Sequence, residues 1–433
     1  MGLLEALART LPAIAGDGPA ATTRAEALAL ALAQGTPGLR DEDWRYTDLA
    51  AATGPAYQPA VAGNDAGMTL PLAALEGPRI VFINGRHAPA HDTPSALPAG
   101  LQARFLERDG GTDPAWAAGC LAHQAQPGTR PFVALNAAAT PDGLILDIAP
   151  GTQLTAPLVV IFATRGAANP VLTSPHLQIN AGAGSAVSVI EMHLGTAEIP
   201  SLANAYTRLV TGTGARVQHY RVVQDTAQAS HLGTVHLEVG RDSEVENFSL
   251  ALAGRLVRVD LDARLSGTGG SLRLNGVFLA GRDEHVDHHT RVEHVADHTT
   301  SEETYHGIAE HNGRGVFNGK IVVPAGVAKV VANQASHNLL LSSEAEIDTK
   351  PELEINANDL RCAHGATVGQ LDEDGLFYLQ SRGVPAEDAR ALLTFGFVQR
   401  LVASLPVTAL QALVAQRFAA GNPRLARLLT GDL

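Results

Sequence analysis

The chain reads as a mainly β protein, a β-solenoid core flanked by N-terminal and C-terminal helical domains. Three observations carry that expectation. Short alternating runs such as Ala186-Val187-Ser188-Val189-Ile190 and Val235-His236-Leu237-Glu238-Val239 fill residues 130 to 355, the period-2 signature of strands. Turns starting at Gly184, Gly214, Asp242 and Gly270 fall 30, 28 and 28 positions apart, and the same step lands next near His298 and Gly326. A repeat of that length with strand content fits rungs that stack to share one thin core. Helical spacing is confined to the two ends of the chain. A large sandwich or jelly roll is the competing all-β reading; the solenoid is preferred because no helical pattern interrupts about 220 residues.

Taken in order, Met1 to Ala15 and Ala20 to Ala33 carry Leu and Ala at helical spacing, and Asp41-Glu42-Asp43 precedes Trp44-Arg45-Tyr46-Thr47. Arg79-Ile80-Val81-Phe82-Ile83 meets Asn84-Gly85, a strong hairpin signal. Residues 101 to 125 return to helix, which places an N-terminal domain over 1–130. The β core is expected over 131–365. Beyond it lies a helical domain, 366–433. Asp372, Glu373 and Asp374 favour a helix start, and Ser381-Arg382-Gly383 ends that helix. Pro385 with Glu387 and Asp388 opens the next, which carries Leu392, Leu393, Phe395, Val398 and Leu401. A last amphipathic helix runs through Leu410, Leu413, Val414 and Phe418.

Composition excludes several classes. The 433 residues are 45% hydrophobic but only 4% aromatic, so the core draws on Val, Leu, Ile and Ala. A net charge of −13 argues against a nucleic-acid footprint. No stretch approaches the roughly 18 apolar residues of a membrane span, and Glu5 and Arg9 interrupt the run that a signal peptide would need. Two cysteines, Cys120 and Cys362, fit a reducing compartment. The expectation is cytoplasmic.

The candidate chemistry centres on Cys362 and His364. Residues i and i+2 of an extended segment share a face, so a thiolate and an imidazole can both look outward there. Both suit soft metals and iron–sulfur clusters; a buried, inert Cys beside a surface His is the plainer reading. The run His285, His288, His289, His294, His298, His306 and His311, with Asp283, Asp287, Glu293 and Asp297, is the other candidate. On a strand it divides between two faces, so a solvated polar face is the preferred reading over a metal site. Gly315-Val316-Phe317-Asn318-Gly319-Lys320 resembles a phosphate loop. Arg314 and Ile321 stand where that loop needs Gly and Ser or Thr, so no nucleotide hydrolysis is expected. Asp260 and Asp262 read as edge solvation, since a sugar cleft would want aromatics.

Asn338-Leu339-Leu340-Leu341-Ser342, Asp348-Thr349-Lys350-Pro351-Glu352-Leu353-Glu354-Ile355, Cys362-Ala363-His364-Gly365-Ala366-Thr367-Val368-Gly369 and Leu376-Phe377-Tyr378-Leu379-Gln380-Ser381-Arg382-Gly383 follow one another in fixed order. Together they resemble the carboxyl-terminal signature of the SufB/SufD family of iron–sulfur cluster assembly scaffolds. His364-Gly365-Ala366 and a cysteine-free β region resemble the SufD branch. A SufB-like, sulfur-accepting subunit is the alternative within the family. From another class, the alternative is a metal-dependent enzyme using the His285–His311 cluster. The resemblance implies a right-handed parallel β-helix that pairs with SufB, and C-terminal helices that dock the ATPase SufC. It also implies a non-catalytic scaffold role, with a possible homodimer through the β-helix when the chain is alone. On that resemblance His364, then Cys362, would contribute ligands to a transient iron–sulfur cluster shared with the partner. No cofactor would be permanently bound.

Overall fold

The computed structural model describes residues 2–11, 20–60, 75–93, 97–165, 169–196 and 199–419. From Leu158–Thr164 onward the chain passes alternately between two parallel sheets. Sheet 1 takes His176–Ala181, Ser201–Thr211, Ala229–Val239, Leu256–Leu265, His285–His294, Arg314–Val323 and Glu346–Ile355. Sheet 2 takes Leu158–Thr164, Ala186–Gly195, Arg216–Gln224, Glu244–Ala253, Ser271–Ala280, Thr300–Ala309, Val330–Leu340 and Leu360–Gln370. This is the expected solenoid. Register partners in sheet 2 lie 27 to 31 residues apart, close to the period of the turns. Gly184, Gly214, Asp242, Gly269, His298 and Gly326 all have φ between 53° and 87°. The period is therefore written in residues that tolerate, or at His298 endure, a left-handed turn.

Alternation sets what each strand position does. Val187, Val189, Leu237, Leu261, Leu272, Phe278 and Phe317 point between the sheets and form one continuous core. The opposite face of sheet 2, from Val81 and Ile161 through Phe248 to Ile308, is covered by Phe395, Val398, Leu401, Leu410 and Val414. Those side chains belong to the helices Ala386–Val402 and Thr408–Ala419, which the apolar spacing predicted. His306 Nδ1 meets the Phe397 carbonyl at 2.9 Å, and Arg417 Nε donates to the Leu252 carbonyl at 2.9 Å, so polar hooks fix the same helices. The far end of the expected helical domain, 420–433, lies outside the described residues, as does part of the Met1–Ala15 helix, of which Leu3–Ala8 is seen.

The N-terminal region contributes strands as well as helices. Asn84 and Gly85 turn at φ 52° and 77°, giving the predicted hairpin between Arg79–Ile83 and Arg86–His87. Arg79–Ile83 then pairs in parallel with Leu158–Thr164 and begins sheet 2. Residues 101 to 125 are not helical throughout. Leu101–Phe105 is a strand antiparallel to Leu144–Ile148, because its alternate residues Leu101, Ala103 and Phe105 are apolar and meet the core. Helix starts only at Leu106 and Pro114. Conversely, Pro131–Ala139 is a helix inside the stretch read as strand-rich. Pro131 sits in its first turn, and the run is rich in Ala, the strongest helix former.

Sheet 1 is covered near its middle by the segment around Trp44. The Arg258 guanidinium lies 3.8 Å from the Trp44 ring centroid, and Trp44 packs on Phe132 at 5.5 Å. Thr47 Oγ1 donates to Asp287 and meets His285 Nε2 at 2.9 Å.

Candidate functional site

The two ends of the solenoid differ. At the start, the reversed strands Arg86–His87 and Leu101–Phe105 cap both sheets. At the finish, Glu346–Ile355 and Leu360–Gln370 are edge strands with no lid among the described residues. Inward positions there stay wet. Leu353 is 37% and Val368 45% exposed, although their counterparts one rung back, Ile321 and Asn338, are buried.

Cys362 and His364 both lie on that last strand, at inward positions. Cys362 follows Ala332 in register and packs beside the small cluster of Ile321, Val323 and Val330. It is half-buried, and burial pushes its thiol up, with the Ala332 backbone drawing it partly back. The group is a protonated thiol near neutral pH, so ligation has to displace a proton. His364 follows Gln334 in register and is exposed. Two residues along a strand span about 6.6 Å, which places a sulfur and an imidazole side by side at the open mouth. Two donors leave a tetrahedral iron half-coordinated. A cluster held here would take its remaining ligands from outside this strand.

The histidine run does not form a second centre. The structure places its members on different strands and faces. The expectation of a solvated polar face fails, because helices and the opposite sheet cover most of them. His288 and His294 are buried between the sheets, meeting Ser249 Oγ at 3.0 Å and Ser301 Oγ at 2.9 Å. His289 pairs with Asp287 at 3.1 Å on the outer face. His298 and His311 are exposed at turns with φ near 57°. Among the described residues no three His, Cys, Asp or Glu side chains are grouped to hold a metal ion. The metal-enzyme alternative on the His285–His311 cluster therefore loses its site. Asp260 is not edge solvation either. It pairs with Arg258 at 2.9 Å and approaches Arg130 at 3.4 Å, while Asp262 binds Arg130 and His236. The glycines of the false phosphate loop serve packing: a Cβ on Gly319 would collide with the Gln334 amide.

Sequence reading missed a charged cluster sealed inside the early rungs. Glu191 binds Arg221, His193 at 2.6 Å, His219 at 2.9 Å and Thr207 at 2.8 Å, all essentially excluded from solvent. Burial pushes the Glu191 carboxyl up, but the Arg221 charge and the two imidazole hydrogen bonds outweigh it and hold the group ionised. The signal was present: Val187, Val189, Glu191 and His193 share one alternation phase, as do Val217, His219, Arg221 and Val223.

Among the described residues, Cys362 and His364 stand at the open mouth of the solenoid with no lid over them. The comparisons identify the system. Residues 162–397 match the family described as SUF system FeS cluster assembly, SufBD core domain, and residues 19–160 match the SufBD protein N-terminal region. The chain belongs to this family. It is 29% identical over 397 residues to an iron–sulfur cluster assembly SufBD family protein of Synechocystis, spanning 88% of this chain and 86% of that one. It is 27% identical over 414 residues to the iron–sulfur cluster assembly protein SufD of Escherichia coli, spanning 92% of both. SufD of Bacillus subtilis is 26% identical over 279 residues, 64% of this chain and 63% of that one.

Proposed function

We propose that the chain is a SufD-type, non-catalytic scaffold subunit of a cytoplasmic Suf complex. It pairs with SufB through the open end of its β-helix and contributes His364, with Cys362, to a nascent cluster at that interface. The observation that carries this reading is the placement of Cys362 and His364 at the last inward positions of an uncapped solenoid. The exposed apolar side chains Leu353 and Val368 beside them support a covering partner; a second copy of the chain would use the same end when SufB is absent. The iron–sulfur cluster is cargo here. A half-complete ligand set suits a surface that must release what it assembles.

Docking of the ATPase SufC falls to the helix Glu373–Ser381. Asp372 caps it, accepting from the Asp374 N–H at 3.1 Å, and Phe377 and Tyr378 stand 73% and 58% exposed. ATP hydrolysis belongs to SufC.

The test is co-expression of the tagged chain with SufB and SufC of its host, followed by anaerobic purification. A three-component complex is expected, and His364→Ala should lower its iron and sulfide content while leaving assembly intact, since a surface ligand carries little packing energy. A chain that purifies alone, or unchanged iron and sulfide in the variant, would overturn the reading.

A further inference from the structure

Inside the last turns sits a carboxyl that neither the core nor the donor pair accounts for. Glu303, on Thr300–Ala309, is 3% exposed. Its ladder runs from Leu274 through Glu303 to Gln334 and ends at His364. Thr290 approaches it from sheet 1. Burial pushes the carboxyl up to about 7, and Thr290 and Gln334 draw it only part of the way back. Neither Glu303 oxygen, neither polar atom of the Gln334 side chain, nor Thr290 Oγ1 closes a hydrogen bond of normal geometry. Gly319 opposite keeps room for the Gln334 amide.

A lone carboxyl between two sheets is costly to keep, and Leu274 shows that an apolar residue fits the same ladder. Among the described residues, no Lys, Arg or His pairs with either Glu303 oxygen. The titratable groups that face it are Tyr305 on its own strand and His288 from sheet 1, whose rings pack on each other at 5.3 Å. Sheet 1 otherwise presents Thr290, Phe317 and Gly319; sheet 2 presents Leu274 and Gln334.

We infer that Glu303, two rungs behind His364 in the same ladder, is a positioning residue for the His364 site that supplies negative charge when the imidazole takes a metal cation. The inference rests on the ligand role given to His364 above. Strands 4.8 Å apart put the two residues about 10 Å from each other along the ladder. At that range, with one end open to solvent, an ionised carboxylate favours a divalent ion by about tenfold or more. A protonated Glu303 lends nothing. Metal binding at the mouth therefore strengthens more steeply with pH than a His and a Cys alone would make it.

The test uses the full chain and cobalt(II), read by the thiolate-to-cobalt absorption of Cys362, at pH about 6 and about 8. Glu303→Gln keeps the shape and removes the charge. It should weaken cobalt binding about tenfold at the higher pH and match the wild type at the lower. Glu303→Asp, which keeps the charge, should restore part of the loss. Equal affinities at the higher pH, or the same loss at both pH values, would overturn the inference, the second because a purely structural role carries no pH dependence. His364→Ala separates the two readings. If it leaves cobalt binding unchanged, the ligand role falls and this inference with it. If it abolishes binding while Glu303→Gln does not alter it, this inference alone falls.

Discussion

Acid should unfold this chain through histidines that the fold keeps neutral. His176, His193, His288 and His294 are no more than 2% exposed. Burial holds their imidazoles down to about 3, about 3, about 4 and about 4, whereas the unfolded chain returns them to about 6.5. Below that value the unfolded state binds protons that the folded state refuses. The stability of keeping them neutral is present above about pH 6.5 and is lost as pH falls towards the folded values. At about pH 5 each histidine costs about 2 kcal/mol, and four independent sites sum to about 8 kcal/mol. Glu303 works in the opposite direction. Its folded value of about 7, against about 4.3 unfolded, returns about 2.5 kcal/mol over the same descent. These five groups together lose about 5 kcal/mol, a large share of the 5–15 kcal/mol typical of a native protein. Urea unfolding at about pH 8 and about pH 5 measures it as a lower midpoint at unchanged slope. His294→Gln should narrow the gap between the two by about 2 kcal/mol. A gap below about 1 kcal/mol in the wild type would refute the reasoning, because the four rings would then accept protons without unfolding.

Arg221→Met should destabilise by about 3–5 kcal/mol, since it strands the Glu191 charge among two imidazoles and a hydroxyl. The pair Glu191→Leu with Arg221→Met should recover most of that loss, and urea midpoints that rank the double variant below the single would contradict it. Phe377→Asp should abolish co-purification with SufC without shifting the melting temperature, because the ring is 73% exposed; a lower melting temperature with SufC still bound would reverse that assignment.

The period was legible because the turns need left-handed residues, and Gly and Asp fill most of them. The hairpin was legible for the same reason at Asn84-Gly85. Spacing put Cys362 and His364 on one face of a strand, but only the surrounding family signature suggested a ligand role for them. Other features were hidden by distance and by double coverage. Arg79–Ile83 joins a sheet whose next strand lies about 80 residues on, which no local pattern announces. In an ordinary sheet the polar phase of an alternation is solvated. Here helices and the Trp44 segment cover the outer faces, so Asp287 is as buried as His288. Glu302 and Glu303 are adjacent and identical in type, yet one is exposed and the other sealed in the core; only the register tells them apart.

The reversed strands at the solenoid's start also give the molecule a growth polarity. A parallel stack with two free ends is a fibril nucleus, able to add copies in both directions. Arg86–His87 and Leu101–Phe105 run against the stack and stop accretion at one end. At the other, Pro351 removes a backbone N–H from the last strand of sheet 1, and Asp348, Lys350, Glu352 and Glu354 line its outer face with charge. The final strand of sheet 2, Leu360–Gln370, has neither proline nor acidic residue. The edge left without such a guard is the strand that carries Cys362 and His364. The guards against runaway stacking lie on the other terminal strands, and these eleven residues are the edge that they leave open.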